Sequence, residues 1–212
     1  MIEKNLLLRG LYPVTPDDYL LPRLSALVSM AIRGGATVIQ YRNKTAPPPM
    51  RRAQAAECLR LCRGTGALLI VNDDLPLALE IGADGVHLGR DDGDLAAARA
   101  ALGPERILGV SCYNEMARAE RAAAAGADYL AFGAMFASVT KPQAVRAPLE
   151  LLGEAKRRFG LPVAAIGGIT LDNAEEVIGA GADMIAVVSD LFEAMDIAAR
   201  AQAFSRLFAQ PA

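Results

Sequence analysis

Short apolar runs alternate with longer stretches of helical periodicity along the whole chain. Eight of the runs read as strands, at residues 10–14, 38–41, 68–71, 85–87, 107–111, 129–132, 163–166 and 184–188. Most are continuously apolar rather than alternating. That is the pattern of a strand buried on both faces, and it predicts a parallel sheet covered by helices. Between the runs, Leu20, Leu24, Leu27, Val28 and Ala31 recur at helical spacing and form one stripe. Residues 117–125 are rich in alanine and favour helix by propensity. Asp172 and Glu175 have the spacing of a capping box for a helix that ends near Gly179. Pro47-Pro48-Pro49 reads as a stiff extended loop ahead of a helix.

An internal echo supports the same unit. Gly82-Ala83-Asp84, Gly126-Ala127-Asp128 and Gly181-Ala182-Asp183 each end a helical pattern and introduce a strand. Glycine there suits a helix C-cap with positive φ. Eight βα units in 212 residues predict an α/β fold, a single (β/α)8 barrel spanning residues 1–212. The chain is shorter than the roughly 250 residues usual for that fold, so its loops must be short. A doubly wound open sheet is the competing architecture, but no Gly-x-Gly-x-x-Gly follows the first strand.

Composition narrows the function. Lys plus Arg number 22 and Asp plus Glu 24, a formal charge of −2. Nucleic-acid binders usually show a basic excess, and aromatics for base stacking are scarce here, so no nucleic-acid partner is expected. No apolar stretch is long enough to span a bilayer. The opening Met1-Ile2-Glu3-Lys4-Asn5 does not resemble a secretory signal. Cys58, Cys62 and Cys112 are an odd, small set that fits reduced cytoplasmic thiols. His87 is the sole histidine. Histidine-rich zinc sites are thereby excluded, and no Gly-x-Ser-x-Gly elbow accompanies it for a serine triad.

Candidate chemistry collects at the strand ends. In such a barrel the active site lies at the C-terminal face. Gln40, Arg42 and Lys44 alternate at the end of the second strand, and two cations there suit phosphate or diphosphate oxygens. Asn72-Asp73-Asp74 closes the third strand and residues 87–92 the fourth, so carboxylates on adjacent strand ends can converge on Mg²⁺. Asp74, ahead of Leu75-Pro76, also has the place of a helix N-cap. Ser111 closes the fifth strand. Ser138-Val139-Thr140-Lys141 follows the sixth, Gly167-Gly168 the seventh, and Val188-Ser189 the eighth. Glycines and hydroxyls after strands seven and eight form the usual phosphate site of these barrels. Two anion sites emerge, one with cations and a carboxylate-bound metal, the other built from backbone.

The chain resembles the thiamine-phosphate synthase family from about Gly10 to Ser189. The resemblance is carried by Gln40-Tyr41-Arg42-Asn43-Lys44, Asn72-Asp73, Gly85-Val86-His87-Leu88-Gly89 with Asp92, Gly109-Val110-Ser111, Thr140-Lys141, Ile166-Gly167-Gly168-Ile169 and Val188-Ser189. It implies a (β/α)8 barrel and a transferase that joins an aminopyrimidine methyl diphosphate to a thiazole phosphate, with loss of diphosphate first. It implies that Gln40, Tyr41, Arg42, Asn43, Lys44, Asn72, Ser111 and Lys141 hold the pyrimidine diphosphate, with Arg42, Lys44 and Lys141 also catalytic. Asp73 and Asp92 would bind Mg²⁺, and Ser138, Val139, Thr140, Gly168, Val188 and Ser189 the thiazole phosphate. The expected partners are therefore small phosphorylated molecules, with no membrane; the oligomeric state is left open, a homo-oligomer included. Arg90-Asp91 stands where the family usually has Gln-Glu, Ala134 where it has Pro, and Ser138 where it has Thr. The related thiazole tautomerase lacks the metal aspartates and uses a histidine soon after the fifth-strand serine, where this chain has Cys112-Tyr113. A barrel that only binds phosphorylated thiamine intermediates is the non-catalytic alternative.

Overall fold

The computed structural model describes residues 8–137 and 145–209. Its eight strands are β1 (Gly10–Pro13), β2 (Val38–Tyr41), β3 (Leu68–Asn72), β4 (Gly85–Leu88), β5 (Ile107–Tyr113), β6 (Tyr129–Phe132), β7 (Val163–Ile166) and β8 (Met184–Val187). All pair in parallel, in the order β1-β8-β7-β6-β5-β4-β3-β2. The two edges meet at a seam. A bridge joins Val14 to Gln40, and the Thr15 N–H donates to the Gln40 carbonyl at 2.9 Å. The buried Thr15 hydroxyl extends the seam, accepting from the Arg42 N–H and donating to the Arg42 carbonyl, each at 2.8 Å. The predicted (β/α)8 barrel is the observed one.

Helices α1 (Leu21–Arg33), α2 (Pro48–Arg63), α3 (Leu75–Ile81), α4 (Leu95–Leu102), α5 (Met116–Ala124), α6 (Glu150–Phe159) and α7 (Ala174–Gly179) follow strands β1 to β7 in turn. The short α8 (Ser189–Phe192) and then α9 (Ile197–Leu207) follow β8. None is long and apolar enough to cross a membrane.

The strands are apolar on both faces because each face meets its own core. Leu11, Ile39, Leu69, Val86, Leu108, Leu130, Val163 and Ile185 point outward into the layer beneath the helices. Tyr12, Val14, Val38, Ile70, Ile107, Tyr129, Ala164 and Met184 point inward and fill the barrel. Leu69 and Leu108 are completely buried, and each such leucine contributes about 1.5–3 kcal/mol over an exposed one.

Asp74, Asp94 and Asp196 accept from the Leu77, Ala97 and Ala199 N–H groups, each cap contributing about 1 kcal/mol. The capping box expected at Asp172 does not form: α7 begins after Asn173, whose side chain instead accepts from the Thr170 N–H at 2.9 Å. Of the three prolines only Pro47 is extended. Pro48 and Pro49 open α2, where their fixed φ suits a first turn that needs no N–H. Leu20 is 61% exposed rather than part of the α1 stripe, because the helix begins after it.

The Gly-Ala-Asp echo has a structural cause. Gly82 ends α3 at φ +70°, in the left-handed region where glycine carries no Cβ penalty. Two residues on, the Asp84 N–H donates to the Leu69 carbonyl at 3.0 Å, and its carboxylate accepts from the Leu69 N–H at 2.7 Å. Asp128 grips Leu108 in the same way, at 2.8 Å for both bonds. Asp183 grips Val163 at 2.8 and 3.0 Å. Each aspartate thus staples the strand it introduces to the start of the strand before it.

Candidate active site

The mouth of the barrel is built at the ends of β2 to β5. Alternation along β2 turns Gln40 inward, while Tyr41 points to the helical layer, its hydroxyl donating to Gln54 Oε1 at 2.9 Å. Beyond the strand, the Asn43 side chain is tied to the loop itself. Its amide donates to the Asp18 carbonyl at 2.7 Å and its Oδ1 accepts from the Thr45 and Ala46 N–H groups. Tyr41 and Asn43 therefore shape the loop, and their polar atoms are spent on it. Arg42 pairs with Asp17 at 3.0 Å, and Asp17 also accepts from the Lys44 N–H at 2.8 Å. The Lys44 ammonium reaches across to Asp73 at 3.0 Å.

Asp73 and Asp92 meet as expected, and their side chains hydrogen-bond to one another. Asp73 follows β3 with φ +62°, a region aspartate tolerates better than most residues. Its N–H donates to the His87 carbonyl at 2.8 Å. Burial alone would raise the Asp73 carboxyl, but the Lys44 ammonium and the bond with Asp92 hold it below the usual carboxylate range. Burial and the bond with Asp73 push Asp92 up, against the pull of the Gly89 N–H, which donates to it at 2.7 Å. Two adjacent carboxylates resist joint ionisation, so the two part, Asp73 held down and Asp92 pushed up. A divalent cation would relieve the same repulsion, and two carboxylates beside substrate phosphates are the donor set Mg²⁺ takes. The residues present fit that ion.

A cleft beside this pair is lined by Lys44, Arg51, Asn72 and Asp73. Arg51 lies 3.5 Å from Asp74, and its Nε is a buried donor with no partner. Arg90, which replaces a neutral residue of the family pattern, is paired with Glu115 and lies 4.9 Å over the Tyr113 ring. Its charge is answered locally.

Deeper in the mouth, a line of hydrogen bonds crosses the barrel, every one 2.8 Å long. Gln40 Nε2 meets the Tyr12 hydroxyl, Tyr12 meets the Tyr129 hydroxyl, Tyr129 meets His87 Nδ1, and His87 Nε2 meets Ser111 Oγ. His87 is 7% exposed. Burial first, then the nearby Arg118 charge, push its imidazole down to about 4 despite the opposing field of Asp73. It is neutral at physiological pH.

Sequence reasoning missed Tyr12, Tyr129, Arg51 and Arg118. The tyrosines lie in apolar strand runs and Arg118 in the alanine-rich helical stretch, where nothing local marks them. In fact Arg118 is 9% exposed and donates to the carbonyls of Ser111 at 2.6 Å and Gly89 at 2.7 Å. It ties the end of β5 to the loop carrying Asp92.

On the far side, Gly167 and Gly168 have φ +101° and +64°. A Cβ on Gly168 would lie 2.4 Å from the Ala137 carbonyl oxygen, so the glycine pair admits the chain that leaves β6. Val188 immediately precedes α8 and Ser189 is its first residue. Ser138, Val139, Thr140 and Lys141 lie outside the described residues.

The chain is similar to known proteins over nearly its whole length. The family model described as thiamine monophosphate synthase matches residues 11–191. A thiamine-phosphate synthase from Aromatoleum aromaticum is 59% identical over 201 residues, 95% of this chain and 97% of that one. One from an Azoarcus species is 57% identical over 202 residues, 95% and 98% of the two chains. Among solved structures, a thiamine phosphate pyrophosphorylase from Pyrococcus furiosus superposes with a TM-score of 0.85 at 35% identity, over 97% of this chain and 98% of that one. A 3-hexulose-6-phosphate synthase from Salmonella typhimurium, at 19% identity and TM-score 0.70 over 93% and 98%, shares the fold alone. With the family model spanning most of its length, the chain belongs to the thiamine monophosphate synthase family.

Proposed function

We propose that the barrel mouth is a transferase site that joins an aminopyrimidine methyl diphosphate to a thiazole phosphate, releasing diphosphate and thiamine phosphate. The observation that carries this reading is the cluster at the ends of β2 to β4, where Lys44 meets Asp73, Asp73 meets Asp92, and the Arg51 Nε stands buried without a partner. A diphosphate placed there would satisfy the orphan donor and find two further cations in Arg42 and Lys44.

In this reading Gln40, Asn72 and Ser111 orient the pyrimidine diphosphate. The Tyr41 and Asn43 side chains contribute by fixing the loop that carries Arg42 and Lys44. Asp73 and Asp92 would hold Mg²⁺, which when bound neutralises charge on the leaving diphosphate. The bond between the methylene carbon and the diphosphate oxygen breaks first, and its electron pair leaves with the oxygen. The thiazole nitrogen then donates its lone pair to the pyrimidine-bound carbon. No side chain need remove a proton from the attacking nitrogen, which suits a site whose one imidazole is buried and neutral. Lys141 would meet the charge that builds on the departing diphosphate, a stabilisation stronger in the transition state than in the ground state. Ser138, Val139, Thr140, Gly168, Val188 and Ser189 would hold the thiazole phosphate, at the usual phosphate position of this barrel. Free thiols and the absence of a membrane-crossing helix among the described residues favour a cytoplasmic setting.

The test is diphosphate release with both substrates and Mg²⁺. Asp73→Asn removes charge with little change of shape, and should lower kcat/KM by at least about tenfold, or roughly 1.4 kcal/mol of barrier. Full activity in the variant, or in chelator, would refute the assignment.

A further inference from the structure

The buried line from Gln40 to Ser111 has a property that none of its members has alone. Each hydroxyl in it owns one proton, and a neutral imidazole owns one. Gln40 Nε2 can only donate, so the Tyr12 oxygen accepts from it at 2.8 Å. The Tyr12 proton is then left for Tyr129, the Tyr129 proton for His87 Nδ1, and the His87 proton sits on Nε2, facing Ser111. Ser111 accepts there and keeps its own O–H for the mouth. If the Gln40 amide turned over, every bond would reverse, and Ser111 would lose its free proton to His87. An imidazolium would break the line, because Tyr129 would receive two protons and have no acceptor for its own.

The fold enforces the geometry. Tyr12 and Tyr129 are buried, with rings 5.9 Å apart and nearly perpendicular. His87 stacks on Tyr129 at 5.6 Å. A Cβ on Gly109 would fall 2.1 Å from the Tyr129 ring, so the glycine clears the space the ring crosses. In a dry interior such bonds polarise one another and act together.

We propose that Tyr12, Tyr129 and His87 are positioning residues that lock the polarity of Gln40 and Ser111 together, so that Gln40 keeps its Oε1 for a donor while Ser111 offers a proton to an acceptor. This rests on the site assignment above and deepens it. The pyrimidine's exocyclic amino group is a donor, and its diphosphate oxygens are acceptors. One line of protons therefore prepares opposite characters for the two ends of one substrate.

Two measurements test this. His87 is the sole histidine, so long-range ¹⁵N–¹H correlation spectra of the whole protein report its tautomer without ambiguity. Protonated Nε2 and bare Nδ1 are expected; a protonated Nδ1 at neutral pH overturns the proposal. The second is a double-mutant cycle in steady-state kinetics. Tyr129→Phe should lower kcat/KM for the pyrimidine diphosphate by about tenfold and leave KM for the thiazole phosphate within about twofold. Its loss should shrink on a Ser111→Ala background, where only the Gln40 end remains to be misaligned. Additive losses would make Tyr129 a mere support of the barrel and overturn the proposal, as would a Tyr129→Phe enzyme of wild-type kcat/KM. Should Tyr129→Phe fail to fold, Tyr12→Phe interrupts the same line and takes its place in the cycle. A fully active Ser111→Ala enzyme would overturn the site assignment instead, while the tautomer still decides the line.

Discussion

Arg118 shows how one side chain can hold a site it does not touch. Its guanidinium donates to two backbone carbonyls on neighbouring units, Ser111 on β5 and Gly89 ahead of Asp92. A planar fork can serve both at once, whereas an ammonium is a single point. Arg118→Met should keep the apolar stem and lose both bonds, leaving two carbonyls poorly satisfied. We expect a loss of about 2–6 kcal/mol, from two orphaned groups at roughly 1–3 kcal/mol each. Urea denaturation measures it, and Arg118→Lys should recover only part. A Met variant as stable as the parent would show that the carbonyls find water instead. The neighbouring Tyr113, at φ +56°, is a second residue held in an uncommon conformation at the same place.

At the scale of the elements, glycines decide which side chains can cross the barrel. On β5, Gly109 sits beneath the Tyr129 ring of β6. Gly109→Ala should drive the ring aside, costing about 1–3 kcal/mol by overpacking and lowering Tm by about 2–12 °C in a chain of this size. Scanning calorimetry reads the cost, and an unchanged Tm would mean the ring moves freely. The eight strands were legible in the sequence because burial on both faces leaves unbroken apolar runs, and periodicity needs no partner to be seen. Arg42, Lys44, Asp73 and Asp92 were legible because charge at a strand end has few structural uses. Tyr12 and Tyr129 were not, since a tyrosine in a strand counts as apolar until its hydroxyl meets a partner more than a hundred positions away, here at a separation of 117. The Asp172 capping box failed because a local spacing competes with Asn173, which reaches back to Thr170. The Gly-Ala-Asp echo was visible, but its use depends on a neighbouring strand that the local sequence does not contain.

For the whole molecule, those echoes divide the barrel into unequal bonds. The staples join β3 to β4, β5 to β6, and β7 to β8. Between β1 and β2 stands Thr37 where an aspartate would be, and the seam is held by one bridge, the bonds of Thr15 and the single side-chain bond from Gln40 to Tyr12. The barrel is thus three riveted panels and a laced opening. Local opening should begin where the lacing is, since subglobal unfolding follows the least-bonded boundary. Native-state hydrogen exchange should show the Leu69, Leu108 and Val163 amides outlasting those of Thr15 and Arg42 by about tenfold or more. Equal exchange at both sets would mean the panels and the lacing come apart together. The lacing runs beside Gln40, Arg42 and Lys44, so the easiest place to part this barrel is also where the proposed site would take hold of its substrate.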